Sequence, residues 1–483
     1  MATFRWLDER LDLRGAKRDL LDREVPARLT WWHTLGSATF TVFLVQVITG
    51  TTLATYYSPS PDHAYDSVRY IADHVASGTL LRGIHHWGAS AMVVLVVAHM
   101  IRVFAVGAYK YPREVNWLLG VGLFLVVLGF SFTGYLLPWD QKAYWATAVG
   151  TNIAGTTPFV GGALVALLRG GSELGAATLA RFYAFHALWL PLLLTVIVAL
   201  HLIIVIRQGI AARPHALEVG APKRTSDAAY PAYYREAYAA TKRGGMRFWP
   251  DILGKDAIVS ASVVVLIVVM ALLFGAPLEA PADPTDTSYV PRPEWYFLPI
   301  YQLLKLVPGS LESLVAVGVP TALLFAMLAL PFFDRGSTRN LLHRPVALAG
   351  LVLLLGGSGY LIGAAGPAPE GVPSEGPPLT SIQRAGRALY QSQQCGGCHL
   401  IAGQGGEEGP DLTTVGLRHS AGWLHSFMET PARFHAESRM PAYAPPALSH
   451  QEIEELAQYL ATLRGRGDQE PQFYDTFPPP RRP

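Results

Sequence analysis

Seven stretches of about 20 predominantly apolar residues, each enough to cross a hydrocarbon core about 30 Å thick, constrain this 483-residue chain more than any other feature. They lie near residues 34–56, 80–105, 115–137, 183–206, 257–276, 315–333 and 346–365. Inside a bilayer every backbone polar group needs an internal partner, so segments of this kind span as helices. The predicted fold is all-α: a polytopic membrane helix bundle followed by a small soluble domain. Composition agrees, because 51% hydrophobic and 15% charged residues fall outside the usual soluble range. A formal net charge of +2 is too small to draw the chain to nucleic acid.

Lys and Arg in the loops set the orientation. Arg5, Arg10, Arg14, Lys17, Arg18, Arg23 and Arg28 precede the first span, and Arg207 to Arg247 form a second cluster after the fourth. Arg335, Arg339 and Arg344 lie between the sixth and seventh. Simple alternation puts all three groups on one side, the cytoplasmic one, and places the C-terminus on the periplasmic side of a bacterial cytoplasmic membrane. Residues 1–30 lack the apolar core of a cleavable signal, so the first span is expected to act as an uncleaved insertion signal. After the last span, "GPAPEGVPSEGPP" at 366–378 reads as an extended linker. Residues 380–464 read as a small helical domain, and the tail "DTFPPPRRP" as disorder.

The second span contains "GIHHWGASAMVVLVVAH", residues 83–99. Ionisable groups inside a membrane are costly and mark function. His85 and His99 are 14 residues apart, about 21 Å along a helix and about 40° short of four turns, so they point the same way near opposite ends of one span. His186 and His201 in the fourth span are 15 apart, with about 60° of excess rotation. Two such helices suit bis-imidazole ligation of two stacked haems. Gly36 and Gly50 in the first span, and Gly120 and Gly134 in the third, repeat the 14-residue interval, where a flat macrocycle is expected to lie against the bare backbone. Arg82 and Arg102 each sit three residues outside a histidine, placed to pair with haem propionates. A lone buried histidine is more often a structural residue, and membrane glycines more often serve helix packing; the matched intervals on four spans favour ligation. His86 faces about 100° away from His85 and reads as structural or interfacial.

Residues 1–210 resemble cytochrome b of the quinol-oxidising bc-type complexes, closest to cytochrome b6, through "FLVQVITG", "HHWGASAMVVLVVAH", "GYLLPWDQKAYWA" and "RFYAFHALWLPLLL". The 15-residue spacing in the fourth span is the b6-like form. Residues 250–365 resemble the partner segment called subunit IV, through "PDILGKDAIV", "PADP", "RPEWYFLPIYQLLKLVPG" and "RPVA", leaving 211–249 as a cytoplasmic loop. The resemblance implies a four-helix dihaem bundle plus three further spans, with His85 paired to His186 on the outer haem b and His99 to His201 on the inner one. It also makes Glu294 of "RPEWYF" the proton acceptor at a quinol-oxidation pocket. Tyr296 stands beside it, and Tyr135, Pro138 and Trp139 of "GYLLPWDQ" resemble the opposite wall. In the b6-like and firmicute relatives a cysteine near the start of the first span binds an extra haem covalently. His33 takes that position here, so no covalent haem is expected on the membrane part.

"CGGCH", Cys395 to His399, is the signature of covalent c-type haem attachment, with Cys395 and Cys398 as thioether donors and His399 as one axial ligand. A zinc or redox C-x-x-C is the alternative, and the immediate histidine argues against it. Met440 in "SRMPAY" resembles the Met-Pro ligand loop of small class I cytochromes c. Met428 is the runner-up, followed by His419, His425, His435 and His450. "GPDL" at 409–412 resembles the loop whose proline carbonyl steadies the proximal histidine, and helices near 381–394 and 450–463 are expected to cross with Gly386 and Tyr390 against Tyr459.

Together these resemblances imply a quinol:cytochrome c oxidoreductase subunit with two non-covalent b haems and one covalent haem c, contributing to proton translocation. Both cysteines lie in "CGGCH", so the implied Rieske iron–sulfur protein is another polypeptide. A cytochrome c or similar acceptor, membrane lipid and a second copy of the chain complete the expected partners. A membrane anchor and electron relay for a dehydrogenase or hydrogenase is the rival reading, and it leaves "RPEWYF" and the subunit IV-like half unexplained.

Overall fold

The computed structural model describes residues 2–284, 289, 292–366, 379–401, 404–406, 408–435 and 438–463. Most of the 366–378 linker and the tail after 463 lie outside the described residues. Seven helices are long and apolar enough to cross a membrane: Trp31–Ala54, Gly78–Ala105, Glu114–Tyr135, Ala176–Gln208, Phe248–Phe274, Leu311–Phe333 and Pro345–Ala364. Each coincides with one of the seven apolar stretches. The fourth and fifth begin earlier than hydropathy indicates, because helical hydrogen bonding continues through flanking turns such as the one carrying Arg181. Hydropathy senses the apolar core, whereas the backbone continues to satisfy itself beyond it.

The chain divides into two compact units, residues 1–278 with 291–365, and residues 279–290 with 366–483. In the first unit, the first span packs on the second, the third on the fourth, and the fifth against the first and second. Small residues allow the approach: Gly83 lies against Ala271 so closely that an added Cβ would sit 2.8 Å from that methyl. Indole donors tie the dihaem-like half to the rest, Trp87 Nε1 donating to the Gly275 carbonyl at 2.8 Å and Trp117 Nε1 to that of Met327 at 2.7 Å. A two-residue antiparallel ladder joins Glu24–Val25 to Met246–Arg247.

The loops at one end of the bundle are held by buried cations. Arg339, only 1% exposed, donates to the carbonyls of Gly107 and Tyr111 at 2.7 and 2.8 Å and to the Tyr230 hydroxyl at 3.1 Å. Lys110 Nζ reaches Asp334 Oδ1 at 2.7 Å and the carbonyls of Gly336 and Thr338 at 2.8 and 2.7 Å. Arg344 bonds the Tyr109 hydroxyl and Asp334. Burial works against the ionised Asp334, but hydrogen bonds from Lys110, Tyr109 and Arg344 outweigh it and hold the carboxyl below its ordinary range. Two of the arginines read as orientation signals thus also join the loop after the second span to the loop before the seventh.

In the second unit, helices Ser381–Ser392 and His450–Leu460 begin at capping boxes built by Thr380 with Gln383 and by Ser449 with Glu452. They cross where Gly386 meets the Glu455 carbonyl, a contact that leaves no room for a Cβ. Tyr390 and Tyr459 pack edge-on there with ring centres 5.9 Å apart. The core beneath is Trp423, Leu424, Met428, Ile453, Leu456 and Leu460. A short antiparallel pair, Leu400–Ile401 with Gln404–Gly405, follows the cysteine motif.

Candidate functional site

The four spaced histidines converge in facing pairs. His85 and His186 stand with ring centres 6.2 Å apart and planes at 74°. A metal–imidazole bond of about 2.0 Å on each side, plus the depth of two rings, comes to roughly the same span. His99 and His201 are close enough to interact electrostatically. The 60° excess in the fourth span has a structural resolution. Residues Phe185–Trp189 form a π-helical turn at His186, which takes up one extra residue. The 15-residue interval therefore spans the same number of turns as the 14-residue interval from His85 to His99.

The spaced glycines stand beside the histidine rings. A Cβ on Gly50 would meet His85 Cε1 at 3.0 Å, and one on Gly36 would meet His99 Cε1 at 3.2 Å. Gly134 stands against His186 more tightly still, and Gly120 faces His201 at 3.9 Å. Each glycine admits the edge of the histidine ring on the neighbouring span.

Two threonines unassigned from sequence act on these rings. Thr49 Oγ1 donates to the Val45 carbonyl at 2.8 Å and lies 2.9 Å from His85 Nδ1. Its proton is already used, so it accepts Nδ1–H and leaves Nε2 as the free ligand atom. Thr133 repeats the arrangement, donating to Gly129 at 2.8 Å and lying 3.3 Å from His186 Nδ1. Each threonine immediately precedes a spaced glycine, and the repeated Thr-Gly is the signal that marks them. At the other end Leu35 and Leu119 hold those places, so no hydroxyl meets the rings: His99 Nδ1 is buried without a hydrogen-bond partner, and the His201 ring bonds the Asn116 backbone.

Arg102 also carries buried guanidinium nitrogens, Nε and NH2, with no partner. Buried unpaired cations and ring nitrogens are costly. Paired imidazoles, glycine notches and an unsatisfied guanidinium form a donor set that fits an iron macrocycle with anionic substituents. His33 is occupied otherwise: its Nδ1 accepts from the Thr30 amide at 3.1 Å, closing the turn that starts the first span. His86 packs edge-on to Trp87 at 5.4 Å.

At the His85 end, Glu294 and Tyr296 meet the end of the third span. Lys142 Nζ lies 2.8 Å from Glu294 Oε1 and 5.5 Å from the centre of the Tyr135 ring. Tyr135 Oη donates to the Arg292 carbonyl at 3.5 Å. Burial, aided by the nearby Glu294 charge, raises the Tyr296 phenol well above its ordinary value, against the pull of a hydrogen bond with Ser131. Lys142 escaped the sequence reading although it lies within "GYLLPWDQKAYWA". It is held by the helix Gln141–Gly155, whose N-cap Asp140 accepts from the Ala143 amide at 2.8 Å.

In the second unit, His399 Nδ1 lies 2.9 Å from the Pro410 carbonyl, which fixes the proton on Nδ1 and frees Nε2. Gly409 leaves space for the same ring. Cys395, Met440 and Tyr443 are each partly buried against the core. Burial raises the Cys395 thiol. Met428 is a core residue, 2% exposed. Among the histidine alternatives, His419 stacks on Trp423 at 3.6 Å, and His425 and His450 are engaged with carboxylates.

The cytochrome b/b6/petB family model matches residues 20–209. The cytochrome b(C-terminal)/b6/petD model matches 281–375, and the cytochrome c model 383–464. The menaquinol:cytochrome c reductase cytochrome b subunit of Geobacillus thermodenitrificans is 46% identical over 216 residues, 43% of this chain and 96% of that protein. Cytochrome b6 of Chlamydomonas reinhardtii is 43% identical over 208 residues, 43% of this chain and 97% of that protein. Among solved structures, a chain of a hyperthermophilic respiratory Complex III is similar with a TM-score of 0.63 at 28% identity, over 80% of this chain and 94% of that one.

Proposed function

Because the chain belongs to the cytochrome b/b6 family, with a subunit IV-like continuation and a cytochrome c domain behind it, we propose that it oxidises quinol at the His85 end of its bundle and sends the electrons in two directions. It is a multi-pass membrane protein and a fused b/c subunit of a bc-type oxidoreductase complex. The division that suits this work is a dihaem domain over 1–210, a loop over 211–249 and a subunit IV-like domain over 250–365. A linker at 366–379, a cytochrome c domain at 380–464 and a tail from 465 follow.

His85 with His186, and His99 with His201, are the residues to hold two b haems. Arg82 and Arg102 serve the propionates, and Cys395, Cys398, His399 and Met440 hold haem c. Bound there, haem supplies reversible one-electron storage. Met440 is favoured over Met428 because it is only partly buried against the core, whereas Met428 fills the core itself.

Glu294 is the proton acceptor. A quinol that loses two electrons also loses two protons, and a carboxylate at a pocket wall is a suitable base. Lys142 must release Glu294 for this to happen, so their ion pair describes the pocket before quinol enters. Tyr135 and Tyr296 line the pocket and orient the ring. One electron leaves toward a separate Rieske iron–sulfur protein and onward to the c domain, and the other crosses to the far side, where quinone is reduced. The Geobacillus relative's name makes menaquinol the first quinol to test. The reading includes a bacterial cytoplasmic membrane, a cytoplasmic N-terminus, an external c domain and a homodimer.

The observation that carries the proposal is the pairing of four histidines opposite four glycines on four successive spans, in one chain with "CGGCH". The test is a redox-titrated optical spectrum of the purified complex together with its menaquinol:cytochrome c reductase activity. Two b-type components, one c-type component and activity that depends on the Rieske subunit are expected. After proteolysis in the 366–378 linker, haem stain on a denaturing gel should appear only on the C-terminal fragment. A single b component, or covalent haem on the membrane fragment, would overturn the assignment.

A further inference from the structure

Helices Ala421–Glu429 and His450–Leu460 of the second unit pack together through Trp423, Leu424 and Met428 on one side and Ile453, Leu456 and Leu460 on the other. Away from that core each helix carries a histidine and a glutamate four residues apart, His425 with Glu429 and His450 with Glu454. That interval places both side chains on one helix face. The two faces meet. His425 Nε2 lies 3.4 Å from Glu429 Oε1, and His450 Nδ1 lies 2.6 Å from the same oxygen. His425 Nδ1 lies 3.0 Å from Glu454 Oε2. The two imidazoles are nearly parallel at 5°, with ring centres 6.5 Å apart. One donor atom each from His425, Glu429 and His450 falls within 4.8 Å of the others.

A surface ion pair explains little of this convergence, since such pairs contribute about 0–1 kcal/mol. Tetrahedral Zn²⁺ with bonds of about 2.0–2.2 Å places neighbouring ligand atoms roughly 3.3 Å apart; the distances to Glu429 Oε1, 3.4 and 2.6 Å, bracket that value. We propose that this cluster is a divalent transition-metal site of the Zn²⁺ type. His425 Nε2, His450 Nδ1 and a Glu429 oxygen are the ligands. Glu454 accepts the Nδ1–H of His425 as the outer carboxylate that orients a metal-bound histidine, and the fourth position is left to water. The ion ties the two helices of this unit together. This site is independent of the haem and quinol assignments.

The test uses the intact complex in detergent, stripped with chelator and dialysed against Zn²⁺ alone. Metal content and Zn K-edge absorption are then measured beside a His425→Gln/His450→Gln variant and a Glu429→Gln variant. The wild type should hold one more Zn²⁺ per chain than either variant, with two imidazole nitrogens in the first shell. Glu454→Gln should weaken binding about 10- to 100-fold without abolishing it. The c-type absorption band reports whether each variant has folded, and Glu429→Gln, which keeps a hydrogen-bonding group, serves if the double variant fails. Equal zinc content in wild type and a folded variant, or a first shell of oxygen alone, would overturn the proposal.

Discussion

The two ends of the four-span bundle use the same framework and surround it differently. Each end has two histidines on the second and fourth spans and two glycines on the first and third. At the His85 end both glycines lie close to the rings, and both rings meet a threonine hydroxyl at Nδ1, at 2.9 and 3.3 Å. At the His99 end a Cβ on Gly36 would meet its ring at 3.2 Å and one on Gly120 at 3.9 Å. No hydroxyl reaches either ring, His99 Nδ1 being buried without a partner and the His201 ring bonding the Asn116 backbone. Helical periodicity makes the ends equivalent as places to hold iron. The residue before each glycine distinguishes them, because it supplies a hydroxyl at Nδ1 at one end only, and such a partner raises the basicity of the ligand nitrogen.

The largest expected effect tests whether the ends are separate sites at all. His85→Ala and His186→Ala should each remove the same b-type component and leave the other, whereas His99→Ala and His201→Ala should remove the second. Redox-titrated spectra of the four variants resolve this. Loss of both components from every variant would mean that the bundle fills as one unit.

The next effect concerns the pocket, which adjoins only the His85 end. Glu294→Gln should keep all haem signals and lower quinol-oxidation turnover by about 100-fold or more, the usual consequence of losing a positioned base. Lys142→Met separates the roles within the pair. It removes the cation that holds Glu294 at 2.8 Å and should leave measurable turnover, because the carboxylate remains. Near-normal turnover in Glu294→Gln would reduce the pair to a structural contact and remove a functional difference between the ends.

What was legible in the sequence follows from which physical signals are periodic. The spans and the histidine and glycine intervals could be read because apolar composition and 100° per residue leave a trace in one dimension. The C-x-x-C-H motif is local and could be read directly. The π-helical turn at Phe185–Trp189 could not, since a one-residue insertion shows only as a 15-residue interval with an apparent misalignment. Nor could the approach of each histidine ring edge to its glycine, which depends on what the neighbouring helix presents there. Arg339 and Arg344 counted correctly as loop cations, but their burial among the Gly107, Tyr109 and Tyr111 contacts depends on loops more than 200 positions apart in the chain. Thr49 and Thr133 were within reach, because Thr-Gly recurs at one end and Leu-Gly at the other.

The smallest expected effect tests the comparison most directly. Thr49→Val keeps the shape of the side chain and removes the acceptor of the His85 Nδ1 proton. A less basic imidazole stabilises ferric iron less, so the midpoint potential of the component lost in His85→Ala should rise. A hydrogen bond is worth about 0.5–1.5 kcal/mol net, and 59 mV corresponds to a tenfold change for a one-electron couple, so the shift should be roughly 20–60 mV. Thr133→Val should move the same component in the same direction by less, because its contact with His186 is 3.3 Å against 2.9 Å for Thr49 and His85. Neither substitution should move the component that depends on His99 and His201. A redox titration of both variants beside the wild type gives the answer, and equal shifts in the two components would show that the threonines act through bundle packing rather than through the ligand ring.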